Sequence, residues 1–587
     1  MALAPALAWY ATPVAPLVAV AVAAIAIAAA LHGLGRAVGA LVGDRDGSPA
    51  LAIAWGLAAY LGLAGALAAI GCFDRAAQRI VMVAATGIGA AWCGRAIVTA
   101  RVRDWRAWRP SLALVVTALA IAVVALHVAG AAGTQQGRFF DGEVYQLGPL
   151  ARLGATGDLG DAFAVPRTGG LGGGVLVSTL AAAFDDLRMV HAIDRGLALG
   201  LALALALGGL RRGPMRFAIG GVIVALASAV PELASDLAPQ WSIVALVFAL
   251  HQTLARAHAA GRTPWAAVIV AAALAGVRHE GLAVVIVIGA HAIATAPARR
   301  RAAAIVVGIV ACALGGLIVA ALVAHAREPA STSMLAALTT RTALRLLLSG
   351  VAAAVLHALM TLALRGAEDR AFAVTVAAIC AALAATGALA PPAELGGQLV
   401  PYGIALALLL IAPALTRGVQ PLTIAVLLLI GLALATTRFP IGQPPLSWEA
   451  RLGRMLDAGR ALSLGTGDEP HERAVYAAAF GAVPPGARVG LWVDRGDLAE
   501  YGHPRVIDLR SAATTACIDD DRSSASPACA RLTALLPRLG LDYLIVSSSS
   551  VRDPGAPGSP VDPLAAFVAG ARTVATPDGL TVYALRR

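Results

Sequence analysis

"SLALVVTALAIAVVALHVAGAAGTQQGRFFDGEVYQLGPL", residues 111–150, is the stretch on which the reading of this chain turns. Its first half, 111–132, is an apolar run close to the ~20 residues that a helix needs to cross a bilayer. Its second half breaks into an arginine, two acids, a tyrosine and glycyl and prolyl turns. The pattern is that of a membrane span emptying into a loop at the water boundary. The rest of the chain repeats the first half. Of 587 residues, 59% are hydrophobic and 13% charged, with a mean hydropathy of +0.78. Soluble domains have about 45–50% apolar and roughly 25% charged residues. Apolar runs recur at 14–33, 50–71, 80–99, 111–132, 189–210, 217–231, 241–257, 264–277, 282–296, 303–325, 343–364, 371–390, 399–416 and 419–437. The expected fold is an α-helical polytopic membrane protein of about 12–14 transmembrane helices.

The formal charge of +11 does not point to nucleic acid. There is no lysine and no asparagine, so all 45 basic residues are arginine. These arginines sit in short clusters between apolar runs, not along one basic face. Without asparagine there is no N-linked glycosylation sequon. Of the six cysteines, Cys72, Cys93, Cys312 and Cys380 lie in or beside apolar runs, where a thiol behaves as a small hydrophobe. Cys517 and Cys529 bracket a Ser- and Asp-rich loop in a polar tail, and a disulfide is open to them if that tail is extracytoplasmic. No Cys/His spacing suggests zinc. The opening 16 residues carry no charge, so they lack the positive start of a cleavable signal peptide.

Sidedness follows from arginine density in the short loops. "RVRDWRAWRP", "RRGPMR", "ARAHAAGR", "ARRR" and "RGAEDR" alternate with arginine-poor, longer segments: 133–188, "PELASDLAPQ", "REPASTSMLAALTTR" and "PPAELGGQL". The dense set is expected in the cytoplasm, which puts "RFFDGEVYQLGPL" outside. Beyond Thr437 the chain is too polar to span. "ARVGLWV" (487–493), "HPRVIDL" (503–509) and "LDYLIVS" (541–547) read as strands. "CARLTALLPRLG" (529–540) and "PLAAFVAGA" (563–571) read as helices, and "TVATPDGLTVYAL" (573–585) as a closing hairpin. The expected divisions are 1–100, additional N-terminal spans; 101–437, the main membrane domain with its large outer loop 133–188; and 438–587, a small extracytoplasmic α/β domain. That tail holds no GxGxxG or GxxxxGK[ST] motif. No internal repeat is evident.

Asp141 and Glu143 follow the fourth apolar run. A carboxylate desolvated at such a boundary can act as a general base toward an acceptor hydroxyl; acids in a polar loop are also often simply hydrated. With Tyr145 two residues on and Arg152 beyond, "GEVYQLGPLARLGATG" reads as a short amphipathic helix on the membrane interface. In "AGVRHEGLAVV" (275–285), Arg278, His279 and Glu280 stand at an outward tip between two apolar runs. Charges so flanked by hydrocarbon require a polar cavity or a partner. Arg278 can pair with Glu280 to staple the turn, or neutralise a lipid phosphate through a bidentate guanidinium. Asp158 and Asp161 in "GDLGD" leave a divalent cation open, although two acids in a glycine turn are usually only a turn. Asp194 and Arg195 read as a local ion pair. His251, His325 and His357 read as packing or interfacial residues, and Trp241 and Tyr402 as members of the aromatic belt.

In their order these residues carry a resemblance. "DGEVY" is similar to the acidic outer-loop motif of the GT-C superfamily of polytopic glycosyltransferases, with Gly142 inserted between the acids. "PRTGGLGGG" stands where that family has a prolyl–glycyl turn. Arg278-His279-Glu280-Gly281 resembles an "RPEG" turn, with histidine replacing proline. "GGQLVPYGIALALLL" resembles a late span but lacks its leading arginine. The pattern is nearest to bacterial mannosyltransferases and aminoarabinose transferase-like proteins, over about residues 105–587.

The resemblance implies a polyprenyl-phosphate-linked sugar donor and a lipid, glycan or protein acceptor outside a bacterial inner membrane. It implies inversion at the anomeric carbon, with Asp141 as base and Glu143 orienting the acceptor or sharing that role. Tyr145 is added as a binding residue. Arg278, with His279 and Glu280 beside it, would face the departing phosphate. Arg341 and Arg345, in "TTRTALRLLLSG", stand in for the missing late arginine or serve as interface anchors. Two other readings stay open: a transporter or flippase for a lipid-linked sugar, and a non-catalytic envelope-assembly protein. A flippase favours ionisable groups at mid-membrane depth and paired broken helices, neither of which the sequence displays.

Overall fold

The computed structural model describes residues 15–44, 48–99, 148–157, 173–183, 190, 193–207, 239–277, 281, 284–285, 469–493, 496–500, 506–509, 533–534, 536–547 and 563–585. Its helical part begins with three helices: α1 (Ala15–Leu41), α2 (Pro49–Ala69) and α3 (Arg75–Thr99). The start of α2 is written locally. The Ser48 side chain accepts from the Leu51 amide at 3.2 Å, and Pro49 occupies the first turn, where its missing N–H costs nothing. Asp74 does the same for α3, accepting from the Ala77 amide at 2.8 Å.

Glycine brings these helices together. A methyl group on Gly56 of α2 would fall on the Leu31 carbonyl oxygen of α1, and one on Gly35 of α1 would fall on the Ala52 carbonyl oxygen of α2. Gly89 of α3 stands in the same relation to the Ala29 carbonyl oxygen. Backbones at this separation pack without intervening side chains, the arrangement that membrane helices use when lipid offers no hydrophobic drive to associate. Two of the described helical segments are long and apolar enough to cross a membrane, Val22–Leu41 and Pro49–Ala69, with mean hydropathies of 1.6 and 1.8. On α1 and α3, Val22, Ile25, Ile80 and Val83 are exposed.

Around α2 gather α5 (Gly173–Ala182), α6 (Leu199–Leu207, entered through the π-helical turn Ile193–Ala198), α7 (Gln240–Ala260) and α8 (Trp265–Val277). Polar side chains bind them inside an apolar core. The buried Trp55 indole donates to the Thr253 hydroxyl at 2.9 Å, and that hydroxyl donates to the Ala249 carbonyl at 2.6 Å. Tyr60 and Thr179 share a bond of 2.7 Å. Because the Thr179 hydroxyl donates to the Leu176 carbonyl, Tyr60 is the donor. Gln252 of α7 donates to the Leu205 carbonyl of α6 at 2.7 Å.

The six apolar runs behind these helices each fall on described helix over most of their length, with shifted ends. α1 continues eight residues past the expected 33 to Leu41, because its glycines sit against neighbouring backbone instead of opening a turn. The runs at 111–132, 217–231 and from 303 onward lie outside the described residues. One expectation is corrected. Trp241 does not sit in an interfacial belt; it is 1% exposed, packed inside the bundle, because α7 docks its first turn on the π-helical segment. Trp265, at the start of α8, is the exposed tryptophan of this region.

The tail folds as a five-stranded sheet of order β2-β1-β3-β5-β4, from β1 (Val489–Trp492), β2 (Val506–Asp508), β3 (Tyr543–Ser547), β4 (Arg572–Ala575) and β5 (Leu580–Ala584). β2, β1 and β3 are parallel; β5 and β4 close the sheet antiparallel. Side chains alternate between two apolar layers, as strand geometry requires. Val489, Leu491 and Ile545 pack with Tyr476 and Phe480 of α9 (Glu469–Gly481). Trp492, Leu544 and Val546 pack on the other face with Leu536, Leu564 and Val568, the last two from α10 (Pro563–Val568). The three strands, the helix at 563 and the closing hairpin lie where the sequence reading placed them. Of the helix expected over 529–540, the described residues Thr533 and Ala534 are helical, and Leu536–Leu539 forms a 3₁₀ turn. Pro537 lacks an amide hydrogen and clashes with a preceding carbonyl, so an α-helix does not run through it.

Candidate functional site

The expected catalytic and binding residues, Asp141, Glu143, Tyr145, Arg278, His279, Glu280, Arg341 and Arg345, lie outside the described residues, as do Asp158, Asp161, Cys517 and Cys529. What is described is the helix that follows the first motif and the helix that precedes the second. α4 (Gly148–Thr156) begins three residues after Tyr145, and α8 ends at Val277, immediately before Arg278. α5 packs against both α4 and α8.

α4 differs from the helix expected on the lipid interface: it is wedged between two bodies of protein. Leu150 and Leu153, three apart and thus on one face, are fully buried in the core of the helical bundle. Ala151, on another face, packs against the Tyr476–Phe480–Leu498 cluster of the sheet domain. The 3₁₀ turn Gly496–Leu498 meets α4 directly. Small residues make this fit possible. At Gly154 a methyl would stand 3.5 Å from the Arg75 guanidinium, so the start of α3 lies across α4. Gly157 ends the helix at φ +77°, and its carbonyl accepts from the Phe73 amide at 3.1 Å. Any side chain there would suffer both a left-handed backbone and a clash with the Gly71 carbonyl oxygen. Arg75 and Arg152 each bury a guanidinium nitrogen at this junction.

A second polar device was not legible as such. Asp194, read from the sequence as half of a local ion pair, reaches across to the start of α7. Its carboxylate accepts from the Trp241 amide at 3.0 Å, the Ser242 amide at 2.8 Å and the Ser242 hydroxyl at 2.7 Å. It thus serves helix amides that have no partner within their own helix, where the helix dipole also favours an anion. The side chain of Arg195 lies outside the described residues. No signal within the local sequence identifies a partner 47 residues away.

The two ends of the bundle differ. At one end are α4, the α2–α3 turn and the sheet domain. At the other, the α1–α2 loop meets the α7–α8 loop: Arg262 donates to the Gly43 carbonyl at 2.7 Å, and Arg256 pairs with Asp44 at 3.2 Å. Among the described residues no group of three or more His, Cys, Asp or Glu side chains could hold a metal ion.

No family model matches the chain, and no curated protein matches it. Among solved structures it is similar to ArnT from Cupriavidus metallidurans bound to undecaprenyl phosphate, at 12% identity over 82% of this chain and 99% of that one, with a TM-score of 0.37. It is also similar to the apo state of the same protein, at 12% identity over 81% and 97% of the two chains, with a TM-score of 0.34. Similarity at these TM-scores carries no conclusion about this chain.

Proposed function

We propose that the chain is a membrane glycosyltransferase that moves a sugar from a polyprenyl-phosphate donor to a hydroxyl acceptor at the extracytoplasmic face of a bacterial inner membrane. The reading starts from the order of the motifs around Asp141 and Arg278. The observation that carries it further is the position of α4. The segment directly after "DGEVY" is not a hydrated loop end but a helix held on one face by the bundle and on another by the sheet domain. A helix held in that way gives the preceding loop a firm anchor, which supports a reading in which catalysis depends on positioning.

The same contacts agree with the sidedness expected from arginine density. α4, the α2–α3 turn and the sheet domain share one end, while Arg256 and Arg262 from "ARAHAAGR" share the other. In this reading Asp141 removes the proton from the acceptor hydroxyl. The oxygen attacks the anomeric carbon, the carbon–oxygen bond to the polyprenyl phosphate breaks, and Arg278 offsets the charge on the departing phosphate. Glu143 and Tyr145 orient the acceptor; His279 and Glu280 support Arg278; Arg341 and Arg345 contact the donor from the later outer segment.

The test is transfer of labelled sugar from polyprenyl-phosphate donors by purified protein. Asp141→Asn is expected to lower the rate by at least about 10²-fold, the usual contribution of a general base. Full activity in that variant removes the assignment of the base.

A further inference from the structure

At the end of the bundle remote from the sheet domain lies a cleft of about 210 Å³, lined among others by Val42, Asp44, Arg256, Arg262, Thr263 and Trp265. It has no place in the proposed sugar transfer, which belongs to the opposite end. Two guanidiniums face one carboxylate across it, an excess of one positive charge among these lining groups. Arg256 bonds Asp44 through one nitrogen, and its side chain stays 39% exposed. Arg262 bonds the Gly43 carbonyl through one nitrogen and is exposed. A guanidinium carries five N–H donors, so each has more donors than these bonds use.

The other polar side chain deep in the wall is already satisfied: the Thr253 hydroxyl accepts from Trp55 and donates to Ala249. The remaining walls are Pro264 and alanines 257, 259, 260 and 266, whose side chains leave room and supply no competing acceptor. The first turn of α8 also borders the space with its positive dipole end, the Trp265 and Ala267 amides already donating to the Thr263 and Pro264 carbonyls. Trp265 and Leu41, 47% and 87% exposed, stand at this end of the apolar helices α8 and α1. An indole exposed at such a level marks the headgroup zone of a bilayer.

We propose that this cleft binds a phosphate group, held by Arg256 and Arg262, and that its depth suits the headgroup of an anionic phospholipid. Planar guanidinium donors match two phosphate oxygens at once. Asp44 then acts as the internal competitor: with the cleft empty it holds Arg256, and with a phosphate bound it opposes the ligand. This makes Asp44→Asn informative. If the arginines only staple two loops, removing the carboxylate weakens the protein and does nothing for an anion. If the cleft is a phosphate site, it strengthens binding.

The experiment measures the unfolding midpoint of the purified full-length chain in neutral detergent, titrated with dioctanoyl-phosphatidylglycerol, with inorganic phosphate, and with dioctanoylglycerol as a phosphate-free control. The phosphatidylglycerol is expected to raise the midpoint where the diacylglycerol does not. Arg262→Gln should weaken the apparent affinity about tenfold, the equivalent of one charge-assisted hydrogen bond. Asp44→Asn, read against its own ligand-free midpoint, should tighten it. A rise with phosphatidylglycerol alone assigns a lipid headgroup; an equal rise with inorganic phosphate assigns a soluble phosphate compound. No rise, an equal rise with dioctanoylglycerol, an unchanged affinity in Arg262→Gln, or weaker binding in Asp44→Asn overturns the proposal. None of these outcomes bears on sugar transfer at the other end.

Discussion

The helical bundle and the sheet domain both bury large apolar side chains, but they differ in how closely their backbones approach. The bundle brings backbones together at glycine and alanine, with Gly35 against Ala52 and Gly56 against Leu31, and it adds buried polar bonds such as Tyr60–Thr179. The sheet domain fills two layers with branched and aromatic side chains, Val489, Leu491, Ile545 and Phe480 on one face and Trp492, Leu544 and Val546 on the other. In the membrane setting proposed above, water accounts for the contrast. A domain in water gains by removing large apolar side chains from it, about 25 cal/mol for each Å². Helices among lipid tails have no such gain and depend on close packing and hydrogen bonds.

The sharpest way to break this comparison is one substitution made in both regions. Gly56→Ala puts a methyl on a backbone oxygen that cannot move without its helix, and should cost about 3 kcal/mol or more. Gly490→Ala meets only the methyl ends of Leu541, Leu509 and Leu544, the nearest at 2.7 Å, and should cost about 1 kcal/mol. Recovery of folded protein after detergent extraction distinguishes them; equal losses would remove the contrast. Next in size, Leu491→Ala should cost the sheet domain about 3 kcal/mol by opening a cavity, seen as earlier proteolysis of that domain with the bundle intact.

Asp194→Ala leaves two amides and a hydroxyl at the start of α7 without their acceptor and should cost about 2 kcal/mol in detergent-based unfolding. Asp194→Asn, which keeps one acceptor oxygen, should cost less. The smallest effect expected is that of Tyr60→Phe. It removes the donor to Thr179 while the Thr179 hydroxyl still donates to Leu176, a loss of about 0.6 kcal/mol.

The same contrast explains what could be read from the sequence. Strands such as "LDYLIVS" announce themselves by β-branched residues bounded by turns, and the apolar runs announce helices by length alone. Both signals are local. The helix Glu469–Gly481 carries no such signal, because "EPHERAVYAAAFG" mixes charge and alanine without a clear stripe. The partners of Asp194, and the place of α4 between two bodies, depend on contacts far apart in the chain. Leu150 and Leu153 signal a buried face, but no residue within α4 says that one side meets the bundle and the other the sheet domain. Residues 1–100, for which the sequence offered no functional account, supply α1, α2 and α3, and α2 is the helix around which the others gather.

The most direct measurement is the side of the membrane that each end faces. In a cysteine-free background, Arg572→Cys on the exposed strand of the sheet domain and Thr263→Cys at the opposite end of the bundle are treated in intact cells with a membrane-impermeant maleimide. Both positions are exposed in the fold. Labelling at 572 without permeabilisation, and at 263 only after it, is the expected result. Labelling at 263 alone in intact cells would put the sheet domain and the Asp141 loop in the cytoplasm and contradict an extracytoplasmic transfer of sugar.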